Sequence, residues 1–509
     1  MSVLKKLAGE TILYGMSSIV GRMLNFLLVP LYTAVLAAAD YGFQSELYVY
    51  VAFLNVLYAY GMETTFFRYA AKAENDPQEI YNTALSYILV TSTIFSTLLI
   101  VCAQPIARSL GHPESSHLIV WLAIIIAVDA VLIIPYARLR LENKAKQFAV
   151  TKLINIFVNI GCNLFFLYFC KNIYEGKFLT QYQALVARVY NPDMGIGYII
   201  LSNLVANALV LLLLYRSFLR FRFRLNWVQF RPMFIYSYPL MFMGIAGIAS
   251  QLLDTIMLKY YLPEGYYYGK SNEAVVGIYR ACGKLAIFMN LGIQAFKYAA
   301  DPFFFSRAED KKAPELFARV MKYFIITGAV FMVGIGLNLD IIVLLLRKPV
   351  YREAIGAVPF MLLGYLFLGV YTNLSIWFKL TDKTFYGTWL VTGGALLSLL
   401  LNYWLIPVMG YMGSAVALLV VYMGMTVASY LIGQKHFYVP YQVKSALVHI
   451  GLAAVLVFGV QFVNLGSALM NFLLHQGLFV GYLALLVVIE WQDIKTLIAR
   501  LKNRKQPKQ

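Results

Sequence analysis

Fourteen apolar stretches, each about as long as a membrane is thick, recur along this 509-residue chain with short charged connections between them. A spanning helix needs about 20 predominantly apolar residues. The stretches lie near 11–36, 44–68, 81–103, 118–137, 148–170, 196–215 and 234–262, then near 275–301, 323–346, 354–378, 385–406, 411–433, 446–465 and 468–489. The chain is 61% hydrophobic and only 13% charged, against about 25% charged in a soluble domain. It could not cover its surface in water. The expected fold is an all-α polytopic membrane protein of about fourteen transmembrane helices.

The formal net charge of +18 would suggest a nucleic-acid partner in a soluble protein. In a membrane protein, Lys and Arg collect in the cytoplasmic loops instead. With the N-terminus inside, the inward segments hold 28 of the 42 Lys and Arg residues and the outward segments hold 8. That bias predicts cytoplasmic N- and C-termini, an even helix count and no nucleic-acid partner. The basic tail then lies beside anionic lipid.

The longest basic connection, Arg216 to Arg231, falls between the sixth and seventh spans and reads as a hinge between two six-helix bundles. The expected division is therefore 1–220, 221–435, and 436–509 for two further helices and the tail. A faint internal echo fits it: Phe66-Phe67-Arg68-Tyr69-Ala70 closes the second span, and Phe296-Lys297-Tyr298-Ala299-Ala300 closes the eighth. Repeated halves with a cargo site between them are a common transporter plan.

Formal charges inside the spans fall mainly on the first two helices of each expected half, as though those helices lined a shared cavity. Arg22 lies roughly 16 Å along the first span at ~1.5 Å per residue, in a run from Thr11 to Leu36 with no other formal charge. A cation that deep costs ~2.5 kcal/mol or more, so it faces a protein interior or a watery cavity. A cavity with fixed positive charge suits an anionic cargo. Arg280 and Lys284, at i and i+4, share one face of the eighth span. Lys297 falls roughly 220° further round at ~3.6 residues per turn, on a different face of a straight helix. Lys152, Lys259 and Lys297 are near span ends and can lift their ammonium groups to the interface.

The acids Glu63, Asp129 and Asp254 could pair with these cations, or one could titrate or bind Na⁺ for ion coupling. Asn25, one turn after Arg22, could bond a polar cargo or join helices. Pro30 and Pro239, with Gly244 and Gly247, permit bends. The four cysteines and five histidines show no metal-ligand spacing. No phosphate-binding loop or nucleophile triad is legible, and no outward loop is long and acidic. Neither enzyme activity nor a cofactor is expected.

Gly21-Arg22-Met23-Leu24-Asn25-Phe26, Gly61-Met62-Glu63-Thr64-Thr65-Phe66-Phe67-Arg68-Tyr69 and residues 293–305, from Ile293 to Phe305, resemble polysaccharide-type flippases. These belong to the multidrug/oligosaccharidyl-lipid/polysaccharide exporter superfamily. The resemblance covers nearly the whole chain through helix count and topology. It implies two six-helix bundles around a central cavity that rock between inward- and outward-open states in the bacterial cytoplasmic membrane. The implied cargo is undecaprenyl-pyrophosphate-linked oligosaccharide for surface polysaccharide such as O-antigen, capsule or exopolysaccharide. Arg22, Asn25, Arg280, Lys284 and Lys297 would bind it, with membrane lipids, a polysaccharide polymerase and glycosyltransferases as partners. A lipid II flippase, a cation-coupled multidrug exporter using Glu63, Asp129 or Asp254, and a non-transporting scaffold are the alternatives.

Overall fold

The computed structural model describes residues 20–491 and 495, except 22, 73, 74, 143, 308, 309, 311 and 382. Arg22 therefore lies outside the described residues. All the described secondary structure is helical, and the described parts of the apolar stretches are largely helix. Eleven of these helices meet the length and apolarity that crossing requires. Met23–Val35 and Gly197–Leu213 are shorter, and the second span is divided.

The principal helices are α1 (Val29–Val35), α2 (Ala38–Ala59), α3 (Met62–Ala70), α4 (Pro77–Val101) and α5 (Ser116–Leu141). They continue with α6 (Ala145–Leu164), α7 (Gly197–Leu213), α8 (Trp227–Tyr261), α9 (Asn272–Ser306) and α10 (Ala313–Gly336). Last come α11 (Val358–Leu374), α12 (Thr384–Met409), α13 (Tyr411–His436), α14 (Val443–Gly459) and α15 (Ala468–Ile489). Helices α2 to α7 pack on one another, and so do α8 to α13, while α14 and α15 lie against α10.

Two spans are not the continuous rods their hydropathy suggests. The first turns at Leu27–Leu28, where Leu27 and Leu28 donate to the carbonyls of Leu24 and Asn25 at 3.0 and 3.1 Å. Pro30 then occupies the first turn of α1, where its missing N–H leaves no bond unmade. The second span breaks at Tyr60 and Gly61, whose φ angles are 31° and 74°. Gly61 also approaches the Ser237 carbonyl so closely that a Cβ would sit 2.7 Å from it. Glycine meets both demands without strain.

The basic connection after the sixth span is held against α4. Residues 217–224 run along α4, where Tyr81 and Gln78 donate to the carbonyls of Ser217 and Arg220 at 3.0 Å. Asn82 and Ser86 accept from the amides of Arg222 and Arg224 at 3.1 and 2.8 Å. Gln78, Asn82 and Ser86 are spaced i, i+4, i+8, so one stripe of α4 satisfies the backbone of the connection.

At the end that the charge bias assigns to the outside, the first six spans and the next six meet closely. Helix α2 crosses α9 at Gly42 and Gly277, where a Cβ would overlap the carbonyls of Glu273 and Ala38 respectively. Small residues of this kind let membrane helices approach backbone to backbone. Lys259 of α8 bonds Glu46 of α2 at 2.7 Å, Glu273 of α9 at 2.9 Å and the Leu110 carbonyl at 3.0 Å. The expectation that Lys259 snorkels is thus wrong, because carboxylates on two neighbouring helices compensate its charge in place. His112, stacked on Phe43 at 3.7 Å, bonds Glu273 at 2.9 Å. Nearby, Lys348 donates to the Leu36 carbonyl at 2.6 Å and Tyr351 to the Ala37 carbonyl at 2.9 Å. A lysine there suits the unpaired carbonyls at the C-terminus of α1.

Candidate functional site: a polar central cavity

A cavity of about 320 Å³ lies between the first six spans and α8–α9. Asn25 borders it at the turn in the first span, and Arg280 and Lys284 project into it from one face of α9. Discontinuous spans beside a binding site are a recurrent transporter feature, because freed backbone groups then face a watery space. A second cavity of about 120 Å³, lined by Gln251, Asp254, Tyr279, Asn290 and Tyr365 among others, lies on the other side of Arg280 and Lys284. The two cations stand between the cavities.

Their partners differ. Arg280 approaches Asp254 at 4.0 Å, at the outer limit of an ion pair. That carboxylate is already served by the Tyr279 phenol at 2.8 Å and the Thr255 hydroxyl at 3.2 Å. Lys284 forms no ion pair among the described residues, and the charge nearest in influence is that of Arg280, of like sign. A half-buried cation facing another cation across one helical turn is electrostatically costly.

The other expected site residues are dispersed. Lys297 lies exposed further along α9 and does not line the cavity. Glu63 pairs with Arg140 of α5, part-exposed and away from the cavity. Asp129 accepts from Asn207 at 2.8 Å and interacts with Lys152, whose ammonium sits 4.1 Å over the Tyr136 ring. In each case a nearby cation or amide occupies the acid.

A larger set of cavity residues is uncharged. Tyr41, Gln44, Ser45 and Tyr48 of α2 are spaced i, i+3, i+4, i+7 and present one face to the cavity, joined by Tyr32, Asn159 of α6 and Asn203 of α7. Asn155, Asn159 and Asn163 form a stripe at i, i+4, i+8 along α6. Asn155 donates to Asn207 at 2.9 Å, and Asn163 accepts from the Tyr32 phenol at 3.0 Å. Following formal charge alone passes over these groups. Their helical spacing is the signal that identifies them in the sequence.

Residues 7–306 match the family described as polysaccharide biosynthesis protein. The chain belongs to that family. No curated protein matches the sequence. Among solved structures, a lipid II flippase MurJ in an inward closed conformation is similar with a TM-score of 0.72 at 14% identity, over 95% of this chain and 100% of that one. A multidrug resistance MATE family transporter of the MOP superfamily, inward-facing, gives 0.62 at 11% identity over 82% of this chain and 94% of its own. An outward-facing one gives 0.57 at 13% identity over 86% and 98%. This polysaccharide biosynthesis family member thus has the fold of those membrane transporters.

Proposed function

We propose that this protein flips a polyprenyl-pyrophosphate-linked oligosaccharide across the bacterial cytoplasmic membrane by alternating access, for surface polysaccharide assembly. The observation that carries the reading is the Arg280–Lys284 pair, two cations on one face of α9 with a single carboxylate 4.0 Å from Arg280, facing a cavity at the junction of the two sets of six spans. A pyrophosphate compensates both, and charge-assisted hydrogen bonds are the stronger kind. The sugar would cross in the polar cavity while the prenyl chain stays in lipid. Membership of a polysaccharide biosynthesis family supports the cargo class. The charge bias supports cytoplasmic termini, and the packing of α2 to α7 on one another and of α8 to α13 on one another supports two bodies that rock.

In a strain whose surface polysaccharide depends on this gene, Arg280→Gln with Lys284→Gln should abolish the polymer while membrane insertion stays normal; normal export would sink the proposal. Arg22→Ala extends the test to the first span. The likeness to the MurJ fold favours one second reading, transport of the peptidoglycan precursor lipid II, also a pyrophosphate. Rescue of a strain depleted of its lipid II flippase separates the two. A cation-coupled multidrug exporter is disfavoured, since Glu63, Asp129 and Asp254 all have partners.

A further inference from the structure

The cavity walls differ in chemistry. The cations come from α9, whereas among the described residues α1, α2, α6 and α7 contribute amides, phenols and a hydroxyl. We propose that this uncharged wall is a carbohydrate subsite, centred on Gln44 with Ser45, Tyr48, Asn159 and Asn203. The inference rests on the cargo proposed above and assigns the sugar to one wall and the pyrophosphate to the other.

Gln44 carries the argument. Only 8% exposed, it lines the cavity, yet its side-chain oxygen has no hydrogen-bond partner among the described residues. A buried acceptor without a donor is costly, and a hydroxyl-bearing ligand in the cavity would supply one. A pyrophosphate offers only acceptor oxygens and cannot satisfy it. A sugar hydroxyl can donate to the amide oxygen and accept from the amide nitrogen, as vicinal hydroxyls commonly do.

The neighbours are equally suited to neutral, two-way bonding. Asn203 donates to the Tyr48 phenol at 3.4 Å, which leaves the phenol proton free to be donated. Asn207, one turn from Asn203 along α7, is committed to Asn155 and Asp129 at 2.9 and 2.8 Å. That network fixes α6 against α7 and sets the positions of Asn159 and Asn203 at the cavity surface. The part-exposed Tyr48 ring adds an apolar face on which the C–H face of a pyranose can rest.

The test uses the purified full chain in lipid nanodiscs and three probes: undecaprenyl pyrophosphate, its N-acetylhexosamine monosaccharide, and the glycosylated pool extracted from a polysaccharide-producing host. The wild type should bind a glycosylated probe at least ~10-fold more tightly than the bare lipid. Gln44→Met with Asn159→Leu keeps side-chain volume and should reduce glycosylated binding to the bare level. Bare-lipid binding should change by less than about twofold. Asn203→Leu, on another helix, should show the same selective loss if the double variant fails to fold. Equal binding of all probes by the wild type, or equal weakening of all by the variants, overturns the carbohydrate wall and leaves the pyrophosphate reading standing. Binding of none of the probes by the wild type removes both.

Discussion

Replacing Lys284 by methionine keeps most of the side chain's reach and removes its charge, so the two consequences of the cationic pair can be read separately. At ~4 Å and an effective permittivity of ~20, one cation facing one phosphate charge gains ~4 kcal/mol. Dehydrating both groups offsets part of this, and hydrogen bonds to charged groups contribute about 1.5–3 kcal/mol net. A loss of about 2 kcal/mol corresponds to ~30-fold weaker binding of undecaprenyl pyrophosphate. The empty protein should respond in the opposite sense. Two cations ~6–8 Å apart repel by ~2–3 kcal/mol at the same permittivity, an upper figure since Lys284 is only half-buried. Tm of the unliganded variant should therefore stay level or rise. Titration of the lipid in nanodiscs reads the first effect, and thermal unfolding in detergent reads the second. Binding within twofold of wild type would refute the reasoning. So would a Tm several degrees lower, because Lys284 would then be structural.

Three other perturbations separate structural charges from functional ones. Lys259→Met leaves the Glu46 carboxylate, 1% exposed, without its cation and should cost about 3–5 kcal/mol; thermal unfolding checks this, and Glu46→Gln in the same chain should recover most of it. Gly277→Leu cannot be accommodated against the Ala38 carbonyl, so α2 and α9 should separate there; a cysteine at Ser45 should then label faster with an impermeant maleimide added from outside. Glu63→Gln removes an ion pair whose side chains are 33% and 47% exposed. It should cost at most ~1 kcal/mol and leave polysaccharide export intact, whereas loss of export would mark Glu63 as a coupling acid.

Much of the architecture is legible because a membrane imposes one simple rule, about 20 apolar residues per crossing. The i, i+4 spacing of Arg280 and Lys284 likewise survives intact into the cavity. Depth in a span was a poorer guide. Lys259 is near a helix end and still sits inside, because Glu46 lies 213 positions away in sequence and nothing local announces it. Glu63 similarly meets Arg140 from 77 positions away. The break at Tyr60–Gly61 depends on backbone angles that hydropathy does not register. The amide stripe on α6 is legible in its i, i+4, i+8 spacing, although its residues carry no formal charge. The polar cavity is framed by α9 and the polar faces of α2, α6 and α7.

The central claim is movement of a lipid-linked oligosaccharide between leaflets. Purified protein in proteoliposomes loaded with undecaprenyl-pyrophosphoryl oligosaccharide can be probed with an impermeant lectin or periodate. Wild type should expose the protected half of the lipid within minutes, and Arg280→Gln with Lys284→Gln should leave it protected as in empty vesicles. Equal exposure by the variant, or none by the wild type, would contradict the account.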